Sequence, residues 1–513
     1  MRWTNSKPEH KLAVIGDSIS QGFQNGGIYR TDLSFPAFLN RCFEPVPDFN
    51  QPLFTAQGGI PLNLEVLLRG LADQYGDTLE WHEYIPACTH LFSTLKRIKR
   101  YWEGTPALLA RNGYSFPYHN QSVWGFAMND AWMITERTSR KFIENYKETY
   151  SIFSVLPDHA MYTTARMVLN PVLSEQFADH TMLDNINYLQ QNGGIENLIV
   201  TMGHNNIIGA VTDLRFQYSE DYDLEAMPSE RNYTVYRPEH FELEYRKLAE
   251  RVSRIGAQRV ITQTIPYVTI PPVTRGVNED LSRPKRGYFD YYTRFWVWDN
   301  DFDPDRHPHL TKDEAIRLDQ LVDIYNKIIR DVSREYGWIV VPLNRYVNAI
   351  ARRRHGGTTY LPYPEDFKEA LKRNPATEHL VDGGGEPTLS TNYLRIDEET
   401  GKVRKGGIFS LDGIHPGTIG YGLIAHVYYK TMKEHGVEFD KPLDWDYIIK
   451  NDTLVTHPPY LLVELRKVLR LLSLGRQERI LRIGGNILQQ LMSLFSKPAR
   501  PVKETKRLRD SRL

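Results

Sequence analysis

Ser18, Asp412 and His415 are the residues of this chain whose types and settings could do covalent chemistry together. Ser18 closes the stretch KLAVIGDS, where an apolar run from Leu12 to Ile15 meets Gly16 and Asp17. A serine at a strand end acts as a nucleophile when three conditions hold. A base must reach its hydroxyl, another group must orient that base, and donors must receive the oxyanion. The stretch FSLDGIHPGTIGYGLIAHVYY offers the base: Asp412 precedes His415 by three residues, Pro416 follows, and an apolar-periodic helix begins near Thr418. That spacing lets a loop carboxylate hold one imidazole nitrogen while the other faces a serine. An imidazole with its ordinary pKa of ~6.5 suits a general base at neutral pH. Taken singly, a strand-ending serine or an Asp-x-x-His loop is commonplace; their joint occurrence is what carries weight.

Such groups need strand ends to hold them. Four apolar, β-branched runs, KLAVIGDS, NLIVTMGHN, RVITQTIP and WIVVPLN, each end in Gly or polar turn residues. Between them, helical spacing places Met182, Ile186 and Leu189 on one face, then Phe241, Leu248 and Val252, then Leu318, Leu321, Tyr325 and Ile328, with glycines closing each segment. Strands apolar throughout, alternating with amphipathic helices, predict a mostly parallel sheet covered on both faces. Reactive groups in such sheets gather at the carboxyl ends of strands. Long non-periodic stretches at about 76–150, 274–312 and 355–405 read as insertions.

GDSIS near the start and DGIHP near the end resemble the first and last blocks of the GDSL, or SGNH, hydrolase family. Two intermediate blocks are expected between them. YHNQSVWGFAMND supplies Asn120 and Gly125, and NLIVTMGHNN supplies Gly203 and Asn205, so all four occur in the family's order from residue 16 to 415. The resemblance implies a three-layer α/β/α sandwich of flavodoxin-like type over residues 10–445, and an esterase or lipase activity without metal or organic cofactor. It assigns Ser18 as nucleophile, His415 as base and Asp412 as the base's orienting partner. The oxyanion donors it implies are the N–H groups of Ser18 and Gly125 and the side-chain amide of Asn205. Asp17 is expected to shape the turn. Where the family commonly has Asp after the third block's Asn, this chain has Asn206. The implied substrate is a small-molecule ester of a lipid, a small acyl group or an acetylated sugar. The same triad would also serve acyl transfer to an alcohol if water were kept from the second step. A membrane-associated binding protein with a vestigial site is the alternative of a different class, and the intact set of five residues speaks against it.

The remaining features bound the reading. The 63 basic and 63 acidic residues balance, so bulk charge does not argue for nucleic acid. Cys42 and Cys88 make no disulfide framework or metal spacing and are expected to be small buried hydrophobes. The N-terminus has no secretory apolar region, and no apolar run reaches membrane-span length, so a cytoplasmic location is expected. DNDFDPD alternates aspartates, but Pro304 and Leu310 stand where a calcium loop needs Gly and Glu, so it reads as a solvated acidic loop. The aromatic run from Tyr288 to Trp298 fits either a lid or a packed cluster. TQTIPYVTIPPVTR, held extended by its prolines, is placed to form a pocket wall.

Residues 456–513 are expected to form a helical, basic extension, with 13 Lys+Arg against 4 Asp+Glu from Leu461 onward. Its amphipathic segments fit docking on the core or on a partner chain, the commoner use of such helices, or peripheral contact with an anionic membrane. Nothing in the sequence speaks to oligomeric state.

Overall fold

The apolar runs form a parallel sheet in which β1 (His10–Gly16), β2 (Ile195–Thr201), β3 (Arg259–Gln263) and β4 (Ile339–Val341) lie side by side in that order. The structure is a computed structural model describing residues 7–464 except 81, 105–115, 146–155, 279–286, 296, 352–361 and 398. Most of the expected C-terminal extension, residues 465–513, therefore lies outside the described residues.

A further segment runs along the free edge of β1. The Val14 N–H donates to His119 O (2.8 Å), the Gln121 N–H to Val14 O (3.0 Å) and the Val123 N–H to Gly16 O (3.1 Å), a parallel pattern centred on Asn120. Counted as the second strand in chain order, it makes the spatial order 2-1-3-4-5, the doubly wound flavodoxin-like arrangement. The winding reverses at β1, so the crevice characteristic of such sheets opens beyond the end of β1, where Ser18 follows.

Side-chain parity builds the layers. Ala13, Ile15, Leu198 and Val200 enter one core, while Leu12, Val14 and Ile199 enter the other, as a two-residue period requires. The first core is completed by α3 (Met182–Gln191), α4 (Pro238–Ile255) and α5 (Lys312–Glu335). The second is completed by α2 (Phe35–Asn40) and α6 (Thr418–Glu434). The fold is thus a three-layer α/β/α sandwich. Reciprocal capping boxes start α3 (Thr181 with Asp184) and α5 (Thr311 with Glu314), fixing where these helices leave their preceding loops.

The insertions contain more order than their sequence spacing suggests. Helix Tyr84–Glu103 buries Ala87, Leu95, Ile98 and Trp102 on one face, a stripe that Pro86, Thr89 and His90 obscure in the sequence. On its outer side Cys88 is exposed, which corrects the expectation that both cysteines are buried; Cys42 alone is. Burial pushes the Cys42 thiol up to about 12, making it an inert packing group.

Within 274–312, Thr274–Gly276, Tyr291–Arg294 and Leu310–Thr311 pair as an antiparallel ribbon, and Phe289 and Tyr292 are buried in the first core. In its acidic loop Asp299 pairs with Arg275 (2.7 Å). Among the described residues no group of three His, Cys, Asp or Glu side chains could hold a metal ion. From residue 445 onward, Trp445, Ile449, Leu454 and Leu461 pack into the second core. No helix among the described residues is long and apolar enough to cross a membrane.

Candidate active site

Ser18 is the first residue of α1 (Ser18–Gln21), and Asp17 caps that helix by accepting from the Ile19 N–H (3.0 Å). This is the turn-shaping role expected of Asp17. The N–H of Ser18, first in its helix, has no intrahelical acceptor and none elsewhere among the described residues. Gly16, just before the turn, lies against a buried cluster in which the Ser20 hydroxyl meets those of Ser122 and Thr201, each at 2.7 Å. A Cβ at Gly16 would collide with Ser20 and Thr201, so only glycine lets β1 pass this cluster.

The base and its partner stand on the loop before α6. Asp412 is fully buried, and both carboxylate oxygens are occupied. One accepts from the N–H groups of Ile414 and His415 (both 2.8 Å); the other accepts from the Gly26 N–H (3.0 Å) and His415 Nδ1 (3.1 Å). Burial alone would raise this carboxyl; the facing imidazole and the converging N–H donors outweigh it and hold the group below the usual carboxylate range. With Nδ1 committed to Asp412, Nε2 is the nitrogen left for chemistry, and it has no hydrogen bond among the described residues. The Phe23 ring packs on the imidazole at 4.3 Å, fixing its plane.

Two loops carry the remaining candidates. Gly125 adopts φ +80°, and a side chain there would press on Met161 Sδ, so glycine is required both for conformation and for space. Its N–H has no acceptor among the described residues. The neighbouring Trp124 N–H is tied to Gln21 of α1 (2.8 Å), and Asn120 reaches the Ser20 carbonyl (3.0 Å), so hydrogen bonds hold this loop against the Ser18 turn. Asn205 sits in the short turn after β2 and donates one amide hydrogen to Phe126 O (2.8 Å), leaving the other.

Ser18, Gly125, Asn205 and His415 all line one cavity of about 370 Å³ at the carboxyl edge of the sheet. Pro266, Tyr267, Val268 and Pro271 supply a wall of it, as the proline-held stretch suggested. No described residue from 288 to 298 lines it; the aromatic run packs instead, with Phe295 stacked on Tyr393 at 4.6 Å.

No family model matches the chain, and no curated protein does. Solved structures that resemble it include a protein assigned as a GDSL-like lipase from Parabacteroides merdae, at 13% identity over 84% of this chain and 98% of that one, with a TM-score of 0.24. An alpha/beta hydrolase enzyme from the metagenome of Lake Arreo aligns at 13% identity over 49% of this chain and 67% of that one, with a TM-score of 0.21. Likenesses this distant do not carry function to the chain.

Three supporting residues were not singled out from the sequence. Asn25 clasps the Asp412 loop: its N–H donates to Ser410 Oγ (2.9 Å), and its Oδ1 accepts from the Leu411 N–H (3.0 Å). It does so from a left-handed conformation, φ +58°, which the Asn-Gly pair at 25–26 announces as a turn signal. His204 donates from Nδ1 to the buried Asp17 (3.2 Å), while its Nε2 faces the Gln263 amide (3.4 Å), which Tyr428 of α6 fixes at 2.8 Å. This chain of contacts links the ends of β1, β2 and β3 to the helix that follows His415.

The third is Glu244, which explains Asn206. The Asn206 amide accepts from the Met128 N–H (3.3 Å) and donates to Glu244 (2.9 Å), whose other oxygen accepts from Tyr222 (3.0 Å). Glu244 is wholly buried, and burial pushes its carboxyl up to about 7. An aspartate at 206 would face a second carboxylate; an asparagine can donate to it.

Proposed function

We propose that this chain is a serine hydrolase that cleaves carboxylic esters through an acyl-enzyme. The observation that carries the reading is convergence on one cavity. A serine, an imidazole held by a buried carboxylate, and N–H groups with no other acceptor meet there from four separate parts of the chain.

In this mechanism His415 Nε2 takes the Ser18 proton as Oγ attacks the ester carbonyl carbon. The carbonyl π electrons move to oxygen, where the N–H groups of Ser18 and Gly125 and the free amide hydrogen of Asn205 receive them. Collapse of this intermediate breaks the bond to the alcohol oxygen, which leaves with the proton from His415. Water then attacks the acyl-enzyme, again losing its proton to His415, and the second collapse releases the acid and returns the proton to Ser18. Asp412 keeps the imidazole in the productive tautomer and stabilises it when charged. Each oxyanion donor contributes about 10²–10³ in rate. The nucleophile, the base and the oxyanion donors all come from this chain, and water supplies the second attack.

Hydrolysis of p-nitrophenyl butyrate tests the proposal. Wild-type protein is expected to release p-nitrophenol, and Ser18→Ala or His415→Ala to lower kcat by about 10⁴-fold or more. Activity within tenfold of wild type in either variant would refute it.

A further inference from the structure

We infer that the preferred ester is uncharged and carries an apolar group on each side of the scissile bond. This preference deepens the esterase reading and rests on it. The cavity is not a pocket within one layer. Leu156, Ala160 and Tyr162 of its wall belong to the first core, whereas Leu343, Phe409 and Ile424 belong to the second. Those cores lie on opposite faces of the sheet, and Ser18 and His415 stand at the sheet's carboxyl edge between them. Side chains of both cores thus wall one space at that edge, and the apolar walls supplied by the first and by the second core are its two arms. An ester bound with its carbonyl at Ser18 extends its acyl group into one arm and its alcohol group into the other. A single short acyl group, or a polar alcohol, would leave one arm without an apolar partner.

Charge points the same way. Among the described residues of the wall no Lys, Asp or Glu occurs, and the one permanently charged group is Arg231. Its guanidinium is already bound in bidentate fashion to Asp130 (3.0 and 2.5 Å) and donates also to Asn129 Oδ1 (2.8 Å), with its side chain only 2% exposed. It is a neutralised structural pair rather than a cation awaiting a phosphate or carboxylate. An anionic group entering either arm would lose its hydration and find no counter-charge.

The test is a matrix of monomeric esters. One series lengthens the acyl chain from acetyl to octanoyl on methanol, and another lengthens the alcohol from methyl to octyl on acetate. A third lengthens both, and a fourth ends one long chain in a carboxylate. kcat/KM should rise about fourfold per added methylene in each single series until the arm is filled. The two gains should multiply in the doubly long esters, and a terminal carboxylate should lower the value at least 100-fold. Ala160→Phe, on the first core's wall, and Val347→Phe, at a lining residue packed against the second core, should each shorten the longest chain accepted in one series and not in the other.

A flat profile in either single series, or preference for the carboxylate esters, overturns the inference; both readouts come from wild-type protein and do not depend on how the variants fold. Labelling with a fluorophosphonate separates the two levels. An adduct on Ser18 with a flat profile removes the two-arm inference alone. No adduct and no ester cleaved removes the esterase reading on which it rests.

Discussion

Asn206→Asp puts into this chain the aspartate that the third block's pattern would have, and it should be harmful here. The substitution replaces a donor 2.9 Å from Glu244 with an acceptor, inside a site where Glu244 has no solvent exposure. It removes a hydrogen bond to a carboxylate, worth about 1.5–3 kcal/mol, and adds repulsion between two buried carboxyl groups unless they share a proton. Glu244 is already raised to about 7, so at pH 8 sharing is opposed by the solvent. A loss of about 3–4 kcal/mol is expected at pH 8, shrinking to about 1 kcal/mol near pH 5, where one carboxyl keeps its proton and can donate it to the other. Adding Glu244→Gln should recover most of the loss, because amide and carboxylate then exchange sides and the Tyr222 hydroxyl still has an acceptor. Thermal and urea unfolding of the four proteins at both pH values, read alongside kcat/KM, form a double-mutant cycle. Wild-type stability of Asn206→Asp at pH 8, or no recovery in the double variant, would refute this role for Asn206.

The same network of contacts fixes further outcomes. Asp412→Asn must turn an NH₂ toward N–H donors on one side or the other, so kcat should fall about 10⁴-fold and stability by about 2–4 kcal/mol, checked by kinetics and thermal unfolding. Asn25→Ala removes the clasp on Leu411 and should lower kcat about 10–100-fold with little change in KM, as expected for a positioning residue. Glu244 and Asp452, each raised to about 7 by burial, keep their protons in the native state at pH values where the unfolded chain has lost them. The native state then binds more protons, so stability should fall by about 3 kcal/mol for Glu244 as pH rises from about 4.5 to about 7, and by about 4 kcal/mol for Asp452 as pH rises from about 4 to about 7. Glu244→Gln should remove its share of that slope in unfolding measured against pH.

Much of this framework was legible in the chain because it depends on local pattern. Unbroken apolar runs along β1 and β2 already imply a sheet covered on both faces, and Ser18, Asp412 and His415 announce themselves by residue type and by short-range spacing. What stayed hidden depends on contacts between distant segments. Asn206 meets Glu244 only because α4 packs beside the turn after β2, and His204 meets Asp17 only because β1 and β2 are neighbours. The cavity wall from Leu156 to Tyr162 follows the insertion at about 76–150, in a stretch to which no element was assigned from the sequence. The aromatic run 288–298 was equally compatible with lid and core, and the ribbon it joins turned Phe289 and Tyr292 inward.

Reactivity of a single oxygen, Ser18 Oγ, offers the most direct test of a serine-based mechanism. Full-length protein treated with a fluorophosphonate and mapped by peptide mass spectrometry should carry one adduct, on Ser18. Ser18→Ala should carry none, and His415→Ala should label far more slowly, since the hydroxyl then lacks its base. Folded wild-type protein that fails to label, or an adduct that maps to another residue, would contradict the assignment of Ser18 as the nucleophile.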